Sequence, residues 1–396
     1  MKTLGASGQR MLAAASLLGL AMVASPTAHS QTFKVVHTFQ GRDGANPLGG
    51  LTIDGSDLYG TTSSGGSSGA GTVFKIKVDG DEEVLYNFTG GNDGGDPEAA
   101  LILINGNFYG TTATGGASNA GTVFEITPHG KEKVLYSFTG NADGATPEAG
   151  LVGDSHGNLY GTTSLGGEND NGTVFKLVRP EVESKAWTEE VLHSFGFADD
   201  GATPVAGVAF DAAGNLYGTT SAGGAGGYGT VFQLKPSKSD WTEYILYSFE
   251  MQNDGGVPYA GITVDGDKLF GAATDGGQGG SSGGGTVFEL TSSKGTWNFS
   301  VLNQLPGWGI SGSFRNVLVE SGKIYATTHC DGANNAGTVY ELTNSGGTWS
   351  NKSLYVFNGD SDGLYSFSNL VHHDGSFYGT TKQGGAGNGV VFKVTP

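Results

Sequence analysis

Between Pro306 and Asp331 the chain gathers residue types suited to recognising a polar ligand: the indole of Trp308, the guanidinium of Arg315, the imidazole of His329 and the carboxylate of Asp331. An indole offers a flat apolar face for a sugar ring, and a guanidinium offers a planar fork to a carboxylate. Asp275, in the preceding repeat, and Arg42, near the N-terminus, complete the candidate binding set. His329 and Asp331 are also the residues that would act as acid or base if the site performed chemistry.

A second group of carboxylates recurs. Asp43, Asp93, Asp143, Asp200, Asp254 and Asp362 are each followed by Gly, in most copies within an Asp-Gly-x-x-Pro run. A ring of oxygens could bind Ca²⁺ or a hydroxyl-rich ligand. Asp-Gly and Pro are equally the residues of chain reversal, and no run has the dense ligand spacing of a calcium loop, so turn formation is the expected role.

Other pattern matches carry no chemistry. Gly224, Gly226 and Gly229 satisfy G-x-G-x-x-G but open no helix, and the G-x-S-x-G matches near Gly65 and Gly279 have no strand-to-helix elbow. No H-E-x-x-H or paired-Cys pattern occurs, and His372 and His373, adjacent on one strand, point to opposite faces. No cofactor or metal is expected from these patterns, and no catalytic residue is assigned.

The candidates stand out because they interrupt a repeat. Leu-Tyr-Gly-Thr-Thr, a Gly/Ser-rich run and Gly-Thr-Val-Phe recur with the aromatic at Tyr59, Tyr109, Tyr160, Tyr217, Phe270, Tyr325 and Tyr378, a period of 50 to 57 residues. Such a period marks stacked supersecondary units. Each unit reads as four short β segments, in the second Glu98 to Ile104, Phe108 to Thr112, Thr122 to Ile126 and Val134 to Phe138, with no helix-period stretch. Seven units of four antiparallel strands predict an all-β, seven-bladed β-propeller.

Blades one to six run over roughly 47–88, 97–138, 147–195, 204–249, 258–305 and 312–357. The mature chain begins with a lone fourth-strand segment, Val35 to Phe39, and ends with a third-strand segment, Gly389 to Val394. Residues 33–39 should therefore complete blade seven, 365–395, and close the ring without a free sheet edge. Alternation then puts the Gly-rich loops and the Asp-Gly loops on one face, the top, together with Arg42 and Arg315, while Arg179 falls on the opposite face. Aligning Gly322 with Gly106 places Arg315 where blade two has Ala99, at the top of the innermost strand. Trp187, Trp241, Trp297 and Trp349 each precede a fourth-strand Leu by five positions, a regularity that reads as packing. The Gly of the Tyr-Gly-Thr-Thr element, such as Gly110, is expected to admit a neighbouring blade close to the backbone.

Lys2, Arg10, the apolar run Met11 to Val23 and small residues before Gln31 form a secretory signal peptide over residues 1–30, leaving 31–396 as one propeller domain. The apolar run is too short to span a bilayer, and membrane insertion is not expected. The net charge of −18 becomes −20 once Lys2 and Arg10 are removed, which disfavours nucleic acid and anionic lipid as partners. A single cysteine, Cys330, rules out an intramolecular disulfide, so burial must hold the ring together.

The unit Leu-Tyr-Ser-Phe, Asp-Gly-x-x-Pro, Leu-Tyr-Gly-Thr-Thr and Gly-Thr-Val-Phe resembles the GloVer-type tandem extracellular repeat of exported bacterial proteins, from Phe33 to Pro396. The resemblance implies export and a repeat ectodomain and supplies no catalytic residues. Since the chain stops at Pro396, directly after its last strand, release into the periplasm or medium is expected rather than anchoring. The reading that follows is an exported, monomeric, non-catalytic propeller binding a glycan or another extracellular polymer through its top face. A secreted enzyme acting on such a polymer and a purely structural or adhesive repeat protein are the alternatives.

Overall fold

The computed structural model describes residues 31–77, 80–182, 184–238, 240–278, 283–305 and 316–396. The signal peptide read in residues 1–30 lies outside them, as do Trp308 and Arg315.

Among the described residues the strands form seven four-stranded antiparallel sheets, each following chain order except one. That one contains Val371–His373, Ser376–Thr381 and Val390–Thr395 with the N-terminal Thr32–Thr38 on its outer edge, so blade seven is completed by the chain start as expected. Phe33 pairs with Val394 and Thr38 with Val390 in this seam.

The core is not central. The seven buried hydrophobic clusters correspond to the seven junctions between blades. At the first junction Tyr59, Val73 and Phe88 of blade one meet Leu101, Phe108, Phe124 and Ile126 of blade two. Sheets buried on both faces need apolar residues at successive positions, which is why Thr-Val-Phe and Leu-Tyr-Gly run without strict alternation.

The first strand of each blade is shorter than expected. In blade two only Ile102–Ile104 joins the ladder, not the whole stretch from Glu98. The preceding carbonyls are instead satisfied by the neighbouring blade: Thr61 Oγ1 donates to the Ala99 carbonyl at 2.8 Å, and Thr52 Oγ1 to the Leu101 carbonyl at 2.5 Å. Backbone acceptors at the axis thus find partners between sheets rather than within one.

Gly110 also differs from expectation. A Cβ there would lie 2.7 Å from Phe124 Cζ and 2.8 Å from Leu101 Cδ2, both in its own blade. The third-strand ring folds over the glycine opposite it, and no neighbouring backbone makes the approach. The glycine of Gly-Thr-Val-Phe does meet the next blade: at Gly121, with φ +94°, a Cβ would lie 2.5 Å from Pro147 Cδ. Two motifs distant in sequence therefore recur together because they touch.

The four regularly spaced tryptophans pack across junctions as read. Trp187, Trp241 and Trp297 lie 6.5, 6.3 and 5.9 Å from Tyr109, Tyr160 and Tyr217 of the preceding blade, and Trp349 joins the cluster that holds Phe270.

Candidate functional site at the channel mouth

The first strands surround the axis, where Gly50, Ala99, Gly150, Gly207, Asn316 and Asn369 line a cavity of about 400 Å³. Aliphatic side chains of the first strands, Leu103 and Val152 among them, share its wall with these residues. Larger groups sit above it, at positions that recur among the described residues: the residues before and after the loop proline, or before and after Ser366 in blade seven, and the residue following Tyr-Gly-Thr-Thr or its counterpart. The scaffold is constant around these positions while the positions themselves vary, which is where a repeat fold carries function.

On blades two and three the mouth is acidic. Asp96 accepts a hydrogen bond from the Ser63 side chain and lies in the field of Lys382; burial nevertheless holds its carboxyl above the ordinary range. Glu98 occupies the position after Pro97, and Glu148 the same position in blade three, where Ser164 Oγ donates to Glu148 Oε1 at 3.4 Å. Blade four offers Thr203, Val205 and Ser221 there, none of them charged. Blade five places Tyr259 in the fields of Asp275 and Glu148, with burial chiefly raising its pKa.

Blades six and seven supply rings and a cation. The His329 imidazole lies 4.5 Å from the Tyr365 ring and 4.3 Å from Phe367, and Lys382 Nζ sits 5.4 Å from the Phe367 centroid. Burial, reinforced by the Lys382 charge, lowers the His329 pKa to about 4. At neutral pH this imidazole is uncharged and acts as part of an aromatic surface.

Four of the six sequence candidates fall among the described residues, and they come from more than one blade. His329 is at the mouth. Asp275, on blade five, has its carboxyl raised by burial, and its Oδ1 is buried without a hydrogen-bond partner among the described residues. Asp331 is buried within blade six, accepting from the Thr328 hydroxyl and, at 3.5 Å, from Thr338, so its carboxylate serves the threonine pair of its own strands. Arg42 is exposed on the loop between blades seven and one. Burial, with the Asp331 charge, pushes the Cys330 thiol up to about 11, leaving it a poor nucleophile at neutral pH.

Sequence reasoning missed Asp96, Glu98, Glu148, Tyr259, Tyr365, Phe367 and Lys382. Their signal was present: each varies between residues that the repeat holds fixed.

The recurring Asp-Gly carboxylates serve their own turns. Asp93 accepts from the Thr89 amide at 2.8 Å and from the Tyr86 hydroxyl at 3.0 Å; Asp143 does the same with Thr139 and Tyr136. On the opposite face, clefts of about 460 and 270 Å³ lie beside Tyr109–Trp187 and Tyr217–Trp297. They recur because the packing recurs.

The profile of the Gloeobacter/Verrucomicrobia repeat matches residues 19–185, 157–295 and 277–396. The chain belongs to this repeat family. Each matched span of the Gloeobacter/Verrucomicrobia repeat covers more than one blade, in keeping with cores that exist only between blades. No curated protein matches the chain. Among solved structures, it is similar to a Mycobacterium tuberculosis puromycin-hydrolyzing peptidase at 11% identity over 86% of this chain, with TM-score 0.44, and spans 59% of that protein's length. It is similar to YjhT at 12% identity, covering 78% of this chain and 97% of YjhT, with TM-score 0.45. A Thermus thermophilus protein assigned as an oxidoreductase of glucose dehydrogenase type shows 13% identity over 92% of this chain and 99% of its own, with TM-score 0.48.

Proposed function

We propose that this repeat protein is exported and binds a hydroxyl-rich polymer, a glycan in the first instance, at the top mouth of its channel without altering it covalently. One observation carries the reading: around a mouth built from near-identical repeats, blades six and seven hold His329, Tyr365, Phe367 and Lys382, while blades two and three hold Asp96, Glu98 and Glu148. Aromatic faces stack on the C–H side of a sugar ring, carboxylates accept from its hydroxyls, and an ammonium donates to them. Trp308 and Arg315, which lie outside the described residues, are included in this reading from the sequence alone. Export rests on the charged, apolar and small-residue order of residues 1–30.

A glycan array probed with the chain from Gln31 onward tests the proposal. Phe367→Ala, Lys382→Ala, Trp308→Ala and Arg315→Ala should each weaken binding of the best ligand about tenfold or more, the loss of one good contact. Lys133→Ala, on the other face, should leave it unchanged. Equal binding by all variants, or no glycan bound, would remove the reading, and recovery of a cleaved glycan would replace it with an enzyme. Export is checked by sequencing the N-terminus of the protein released by cells expressing the full chain, which should begin at Gln31.

A further inference from the structure

At six of the seven blade junctions, those that carry an Asp-Gly loop, the fourth strand turns one side chain toward the carboxylate of that loop, and the next blade's fourth strand adds a third group. Two of these junctions are Tyr, Asp and Glu: Tyr86 donates to Asp93 beside Glu132, and Tyr136 to Asp143 beside Glu189. Two others replace the Glu with an aromatic that stacks flat on the Tyr, Phe299 on Tyr247 at 3.8 Å and Phe33 on Tyr355 at 3.7 Å. The remaining pair differs in chemistry. His37, Asp43 and Glu82 meet where blade seven joins blade one, and His193, Asp200 and Glu243 meet where blade three joins blade four.

Where histidine stands, the tyrosine hydroxyl is exchanged for a ring nitrogen that can offer a lone pair. His37 Nε2 lies 3.0 Å from Asp43 Oδ2; His193 Nε2 lies 2.9 Å from Asp200 Oδ1 and 3.7 Å from Glu243 Oε1. In each group all three ligand atoms fall within 4.8 Å of one another. Glu82 Oε1 and Glu243 Oε1 are buried and have no hydrogen-bond partner among the described residues, as is also true of Glu132 Oε1 and Glu189 Oε1 at the tyrosine junctions, so the histidine lone pair is what sets these two junctions apart.

We propose that the His37–Asp43–Glu82 and His193–Asp200–Glu243 junctions each bind a divalent first-row transition-metal ion of the Zn²⁺ class. Ligands about 2.0–2.2 Å from a tetrahedral centre are about 3.3–3.6 Å apart, so small side-chain adjustments suffice. One imidazole and two carboxylates suit such an ion and balance its charge, whereas Ca²⁺ asks for six or more oxygens. The supporting contacts are those of an oriented ligand set. The Gln40 amide holds the other oxygen of Asp43 at 2.7 Å, the Gly196 amide holds that of Asp200, and each imidazole packs edge-on to a phenyl ring, Phe39 or Phe195, at 4.8 Å. His37 and Asp43 keep 16% and 18% side-chain exposure, which leaves a path for an ion and room for water as a fourth ligand.

Because two ligands come from one blade and the third from the next, each ion pins a junction, one of them beside the seam closed by the N-terminal strand. A chain with one cysteine gains in this way a cross-link that it cannot obtain from a disulfide.

The chain from Gln31, stripped with a chelator, is titrated with Zn²⁺ by calorimetry and with Co²⁺ by visible absorption. Two ions should bind per chain. His37→Tyr and His193→Tyr should each remove one, and the double variant should bind none while keeping the circular dichroism of the parent, since it copies the Tyr86 and Tyr136 junctions. Glu82→Gln with Glu243→Gln provides a second route to the same loss. Absence of Zn²⁺ binding in the parent, or unchanged stoichiometry in both double variants, overturns the proposal.

Discussion

Thr111 Oγ1 donates to the main-chain carbonyl of Ala149, one blade further on, at 2.9 Å, and both groups are buried. Thr61, Thr162 and Thr219 make the same bond to Ala99, Ala206 and Ala260, and Thr380 closes the circle onto Gly49 at 3.1 Å. Thr111→Val keeps the shape and removes the donor, stranding a buried acceptor. We expect a loss of about 1–3 kcal/mol in urea unfolding, with little change in far-ultraviolet dichroism. Blade five has Ala272 at this position and cannot make the bond.

Gly110→Ala should destabilise by about 1–3 kcal/mol, because the new methyl meets the Phe124 ring and no rotamer of that ring can leave a junction buried on both sides. The Gly110→Ala, Phe124→Leu pair removes the ring's share of the obstruction and leaves the Leu101 contact. Its cost should fall below the sum of the two single costs, and additive costs would show that the ring is not what excludes the methyl.

The fold was legible because one physical requirement repeats. Gly121 and Pro147 touch, Thr111 and Ala149 are bonded, and Tyr136 is tied to Asp143, so most copies of the unit keep the same residues. The split blade was legible because Val35 to Phe39 reads as a fourth strand with no blade of its own. The site was legible only in part. His329 was visible as a break in a motif, but Lys382 follows an intact Tyr-Gly-Thr-Thr element and Phe367 follows Ser366, which replaces the loop proline, and only the ring geometry brings them to His329. The same holds for His37, Asp43 and Glu82, which come from separated stretches with no motif spacing. The Gly110 expectation failed because sequence alone does not distinguish a ring of the same blade from backbone of the next.

Phe33 stacks on Tyr355 at 3.7 Å with an interplanar angle of 7°, and it sits on the strand that closes the ring. Phe33→Ala removes this stack from the seam between blades six and seven. The ring is partly exposed, so the cost should be about 2 kcal/mol, below that of a fully buried Phe. Amide exchange should quicken first in Val390–Thr395, the strand paired with residues 32–38. Uniform quickening around the ring would show instead that the closure opens only with global unfolding.

Stability should fall as pH rises from about 5 to 8. Burial, reinforced by the Asp93 charge and opposed by a Tyr86 hydrogen bond, raises Glu132 from an ordinary 4.5 to about 7. Burial with the Asp143 and Glu190 charges does the same for Glu189, beside Tyr136. In the unfolded chain both groups lose their protons near 4.5, whereas in the folded chain they keep them until about 7. The folded state therefore binds more protons across this window, its stability declines through it, and the decline ends once the folded groups have ionised. In thermal unfolding of the chelator-treated protein, Tm should be lower at pH 8 than at pH 5. Glu132→Gln with Glu189→Gln, which fixes both groups in an uncharged form, should flatten that slope and raise Tm at pH 8. A slope unchanged by the double substitution would place its origin in other groups.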